Sequence, residues 1–150
     1  MFVLMKAAVR AKKHLGQHFL IDENIAQRIA ALLSMDGAYN EVIEIGPGTG
    51  VLTKYLINKP FSLFCLDVDV ESVDYLNKHY SAIPALHILL QDFLKFYLHA
   101  HHAGARAVIG NFQYFISNIF SHTRPSGKGN RDRVYAAERG SRAIGCTTGQ

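Results

Sequence analysis

One hundred and fifty residues, 49% hydrophobic and 19% charged, suit one folded domain and exclude a disordered or collagen-like chain. No apolar run approaches the roughly 18 residues that span a bilayer, and Met1 to Met5 is too short for a signal-peptide core, so a cytoplasmic chain without membrane contact is expected. The net charge of +4 resides in the tail, because residues 1–120 hold ten Lys/Arg and ten Asp/Glu whereas residues 121–150 hold six Lys/Arg against Asp132 and Glu138.

In chain order, residues 1–20 read as a basic arm (Lys6, Arg10, Lys12, Lys13) running into the loop Gly16-Gln17-His18-Phe19-Leu20. Such an arm is either a solvated terminus or a contact for RNA phosphate. Asp22 then caps a predicted helix whose apolar Ile25, Ile29, Leu32 and Leu33 recur at helical spacing, up to Asp36-Gly37. Val42-Ile43-Glu44-Ile45 is a short β-prone run broken by Gly46-Pro47-Gly48-Thr49-Gly50, after which Leu52, Tyr55 and Leu56 predict a helix ending at Lys59-Pro60. A second strand, Phe61 to Leu66, finishes in Asp67-Val68-Asp69. A helix follows with Val73 and Leu76 inward. His87 to Leu90 is the third strand, Gln91-Asp92 its end, and Phe93 to His99 a helix with Phe93, Phe96 and Tyr97 on its core side. Ala107-Val108-Ile109-Gly110-Asn111 is the fourth, leading into Phe112-Gln113-Tyr114. This alternation predicts a doubly wound, mostly parallel, Rossmann-like α/β sheet over residues 21–120. Residues 121–150 hold five glycines and only seven apolar residues, without periodicity, and predict no regular element.

Open parallel sheets bind ligands beyond the carboxyl ends of their strands, and four polar or glycine-rich points fall there: Gly46 to Gly50, Asp67, Asp92, and Asn111 to Tyr114. Taken alone, the glycines could simply make a tight turn. Their spacing departs from the dinucleotide fingerprint and disfavours a nicotinamide dehydrogenase; a nucleoside without phosphate fits better. Asp67 is placed to accept hydrogen bonds from both hydroxyls of a ribose. Asp69 reads as a helix cap, and Asp92 either as a cap or as an acceptor for an adenine amino group. Cys65 and Cys146 read as free thiols, and His99, His101 and His102 as a solvated helix end rather than a metal site.

These four points, in this order, resemble the class I S-adenosylmethionine-dependent methyltransferases. With Lys12 to Leu20, Val42 to Gly50, Gln91-Asp92 and Gly110 to Ser117, the chain resembles the ribosomal RNA adenine N6,N6-dimethyltransferase family over about residues 10–120. The resemblance implies that the loop at His18 and Leu20 closes over S-adenosylmethionine and that Gly46 and Gly48 admit its methionine end. Asp67 would hold the ribose, and Asp92 the adenine. Asn111 would lie between cofactor and target base, its side-chain oxygen and the Phe112 carbonyl accepting the two amino hydrogens while Tyr114 stacks on a flipped-out adenine. The implied partner is ribosomal RNA of the small subunit, met by a monomer needing no metal. Alternatives are a relative acting on large-subunit rRNA, a methyltransferase for a small molecule, and a non-catalytic RNA-binding or ribosome-assembly module. Gln113 stands where the family usually has Pro, and Phe115 where Asn is common. The family's sheet has seven strands and a following helical domain, so a chain of about four strands and an unrelated tail reads as incomplete at its C-terminus, truncated or frame-shifted, with the fourth strand an exposed edge.

Overall fold

Asp22 opens the first helix as predicted, its carboxylate accepting from the N–H groups of Asn24 at 2.9 Å and Ile25 at 3.1 Å. Helix α1 (Glu23–Ala31) buries Ala26, Ile29 and Ala30 and stops short of the predicted Asp36-Gly37 boundary. The computed structural model of the chain describes residues 9, 10, 12, 19–33, 35–99, 105–111, 133–138 and 142–147, the last two stretches as backbone.

Strands β1 (Glu41–Ile45), β2 (Ser62–Asp67), β3 (Leu86–Leu90) and β4 (Arg106–Gly110) are mutually parallel, β1 lying between β2 and β4. Helices α2 (Val70–Tyr80) and α3 (Phe93–His99) follow β2 and β3. Because both faces of β1 and β4 are covered, these strands read as near-continuous apolar runs instead of alternating. On one face Val42, Leu63, Cys65, Ala107 and Ile109 pack with Ile29, Leu33, Leu52, Leu56 and Leu76. On the other, Ile43, Leu66 and Val108 meet Phe93, with Phe96 partly buried beside them. Tyr97 lies on α3, but its side chain falls outside the described residues.

Two expectations are corrected. After the glycine loop the chain forms only a 3-10 turn, Thr53–Tyr55, in place of a full helix. Tyr55 and Leu56 donate to carbonyls three residues back, Leu52 and Thr53, and the Thr53 hydroxyl is drawn to Glu44 on β1, which holds the segment in tight turns. The second correction concerns the tail. Strands β5 (Arg133–Glu138) and β6 (Arg142–Thr147) continue the sheet to the order β3-β2-β1-β4-β5-β6, β5 parallel to β4 and β6 antiparallel to β5. Strand β4 is therefore interior, and the sheet does not end near residue 120. Val134-Tyr135-Ala136-Ala137 and Ala143-Ile144 are β-compatible runs too short to show a period among the surrounding Arg, Gly and Ser. Among the described residues no helix is long and apolar enough to cross a membrane.

Candidate cofactor pocket

In-register parallel pairing brings Ile45, Leu66 and Gly110 to one edge of the sheet, so the residues that follow these strand ends become neighbours. Gly46 leaves β1 with φ +63° and donates its N–H to the Leu66 carbonyl at 2.9 Å. Gly48 (φ +56°) and Gly50 (φ +79°) complete the loop, closed by Gly50 N–H to Pro47 carbonyl at 2.9 Å. Gly48 is doubly required. A Cβ there would sit 2.6 Å from the Phe19 ring, on a backbone that L side chains rarely adopt. Gly48→Val is expected to lower stability by about 1–3 kcal/mol and to displace Phe19; urea unfolding with an unchanged midpoint would contradict this packing.

At the end of β2, buried Asp67 accepts the Asp69 N–H through Oδ1 at 2.9 Å and the Gly48 N–H through Oδ2 at 3.4 Å. Burial pushes its pKa up; the N–H bonds from Asp69 and Gly48 oppose that, and the nearby Asp69 charge adds to it. Asp69 caps α2 through Glu71 N–H at 3.2 Å, as its position predicts. Asp92, just past β3, accepts the Lys95 N–H at 3.1 Å and so caps α3 with one carboxylate oxygen. Next to Asp67, in sequence and in strand register respectively, are two exposed apolar residues, Val68 at 52% and Leu90 at 54% exposure. Large apolar groups left open beside polar acceptors are what a ligand-binding wall looks like.

Leu20, Gly46 and Asn111 line one crevice with Phe19, Glu44, Pro47, Thr49 and Leu52. Three of the predicted site residues thus converge, while Gly48 and Asp67 are joined to each other by a hydrogen bond. His18, Phe112 and Tyr114 lie outside the described residues, as do Gln113 and Phe115.

Glu44, which the sequence pattern did not single out as a site residue, lines the same crevice. It is 1% exposed, and its Oε2 accepts from Thr53 Oγ1 at 2.8 Å and from Cys65 Sγ at 3.4 Å. Burial raises its pKa to about 7; the Thr53 and Cys65 bonds lower it and the Asp67 charge raises it. Burial and the Glu44 charge in turn push the Cys65 thiol well up, so it stays protonated and donates. The signal was there: a carboxylate flanked by Ile43 and Ile45 in the buried stretch of the strand.

Comparison with known proteins bears on the family and the fold. The family model "Ribosomal RNA adenine dimethylase" matches residues 8–123. The chain belongs to the ribosomal RNA adenine dimethylase family. It is 51% identical over 111 residues to ribosomal RNA small subunit methyltransferase A of Flavobacterium johnsoniae, a match covering 73% of this chain and 42% of the relative. With the Cytophaga hutchinsonii protein of the same name it shares 48% over 110 residues, again 73% and 42%. This dimethylase-family chain therefore spans less than half the length of these curated relatives. Among solved structures, 23S rRNA methyltransferase ErmE superposes with TM-score 0.63 at 22% identity, covering 79% of this chain and 48% of that one. A dimethyladenosine transferase from Plasmodium falciparum gives 0.57 at 22% identity, covering 79% and 43%. Both likenesses establish the class I methyltransferase fold.

Proposed function

We propose that this protein is an S-adenosylmethionine-dependent methyltransferase, or the N-terminal part of one, that dimethylates adenine N6 in small-subunit ribosomal RNA during ribosome assembly in the cytoplasm. The observation that carries this reading is the position of Asn111: it follows β4 and lines the same crevice as Leu20 and the glycine loop. A side-chain amide at that place suits a planar amine, whose lone pair is delocalised into the ring until acceptors draw its hydrogens out of plane.

The residues present fit the cofactor. Bare glycine backbone at Gly46, with nothing within 4 Å of a virtual Cβ, leaves room for an amino-acid tail beside the Phe19 ring that covers Gly48; Asp67 would take the ribose, and exposed Val68 and Leu90 would offer apolar faces to an adenine whose amino group Asp92 would accept. S-adenosylmethionine supplies a methyl group on a sulfonium centre. The chain would supply orientation: His18 and Leu20 would shield the site, the Asn111 oxygen and the Phe112 carbonyl would hold the amine, and Tyr114 would stack on the base. The amine's proton leaves to solvent after transfer, so no general base is needed. The protein acts as a monomer on the small subunit.

Incubation with tritiated S-adenosylmethionine and unmethylated small-subunit rRNA tests this. Incorporation into adenine is expected, falling by about 10²- to 10³-fold in Asn111→Ala, the usual scale for a lost transition-state acceptor or donor. Cofactor binding without incorporation would instead support a non-catalytic RNA-binding role, with Gln113 in the turn as the first suspect.

A further inference from the structure

Two described residues that precede α1, Lys12 and Phe19, touch the ends of β1 and β2. Lys12 Nζ lies 2.6 Å from Asp69 Oδ1 and 3.3 Å from Glu71 Oε1. Phe19 lies against Gly48, as the 2.6 Å approach of its ring to a virtual Cβ shows. Between these two residues runs an unbroken set of contacts. Asp69 donates its N–H to Asp67, Asp67 accepts the Gly48 N–H, and Gly48 is covered by Phe19.

Asp69 needs a counter-ion. Its side chain is only 1% exposed, and it stands two residues from the equally buried Asp67, so two carboxylates share one poorly solvated corner. The N-terminus of α2 offsets part of this charge, and Lys12 brings a full positive charge into contact with it. Glu71, half-exposed, adds little beyond steering the ammonium. A lysine committed to two carboxylates is also not presented to RNA phosphate, which separates Lys12 from the general reading of the basic arm.

We propose that Lys12 is a positioning residue for the nucleoside pocket: as counter-ion of Asp69 it holds the corner in which the Asp69 N–H and the Gly48 N–H keep Asp67 oriented for the ribose. This rests on the cofactor reading above. The test is titration of S-adenosylhomocysteine by calorimetry into wild type, Lys12→Met, Lys12→Arg, Asp69→Asn and the double variant Lys12→Met/Asp69→Asn. Asparagine keeps the helix cap and removes the charge that calls for Lys12. Lys12→Met is expected to weaken binding roughly tenfold, the scale of a lost close charge pair, and Lys12→Arg to stay close to wild type. On the Asp69→Asn background, Lys12→Met should cost less than about twofold, the coupling that a double-mutant cycle isolates. Equal losses on both backgrounds, or wild-type affinity in Lys12→Met, would overturn the proposal. Wild-type protein that binds no S-adenosylhomocysteine counts against the cofactor reading itself. The hold of Lys12 on Asp69 is then decided in ligand-free protein by tryptic cleavage after Arg10: faster in Lys12→Met than in wild type supports it, and equal rates overturn it.

Discussion

Asp67→Ala is expected to weaken S-adenosylhomocysteine binding at least about a hundredfold, since hydrogen bonds to a charged acceptor contribute about 1.5–3 kcal/mol each and a ribose offers two hydroxyls. A carboxylate has about four lone-pair positions, and the protein's own N–H groups at Asp69 and Gly48 take one on each oxygen. The Val68 N–H also bonds this carboxylate, and the capacity that remains is what a diol would use. The substitution also strands these N–H groups, so the glycine loop loses its tie to the end of β2 along with the ligand. Asp67→Asn separates these effects, because its amide oxygen can still take one N–H while the charge is gone. Calorimetry on the three proteins measures this; affinity within a few-fold of wild type in Asp67→Ala would remove the ribose from that position.

The second large effect is on stability and depends on pH through Glu44. In the unfolded chain its carboxyl titrates near the ordinary value of 4.5, and in the folded protein near 7. Between these values the native state binds more protons than the unfolded one, so stability is fully present below about pH 4.5 and is lost as pH rises through 7. The span corresponds to about 3 kcal/mol at 1.36 kcal/mol per pH unit. Asp67, also raised by burial, adds slope of the same sign. Glu44→Gln keeps an acceptor for Thr53 and Cys65 but carries no charge. Urea unfolding from pH 4.5 to 8 should therefore show wild type losing stability and Glu44→Gln losing markedly less, only the slope due to Asp67 remaining, with the variant the more stable at pH 8. Parallel curves for the two proteins would mean that Glu44 is not the buried titrating group.

The strand ends were legible because parallel βα units write themselves as apolar runs closed by polar or glycine residues, and Gly46, Asp67, Asp92 and Asn111 each follow such a run. Caps at Asp22 and Asp69 were equally plain, since short carboxylates before a helical period have one common use. The 3-10 turn was not legible. Leu52, Tyr55 and Leu56 have helical spacing, and only the tertiary bond from Thr53 to Glu44 shows why the turn stays tight. Strands β5 and β6 escaped for a different reason: their pairing partners are distant in sequence or lie in a stretch rich in Gly and Arg, so local pattern carried almost no signal. The Lys12 contact with Asp69 joins residues 57 positions apart, and no spacing rule reaches that far. Val68 and Leu90 looked like ordinary strand-end hydrophobics until their exposure and the strand register marked them as open neighbours of Asp67.

We propose that the carboxyl ends of β1 to β4 together form one nucleoside-cofactor pocket. The most direct measurement is amide NMR of the isotopically labelled chain titrated with S-adenosylhomocysteine. Saturable shifts should gather at Gly46, Gly48, Asp67, Val68, Asp92 and Asn111 and spare the opposite edge at Glu41, Ser62 and Arg106. Shifts confined to that opposite edge, or a folded spectrum that does not respond at all, would contradict it.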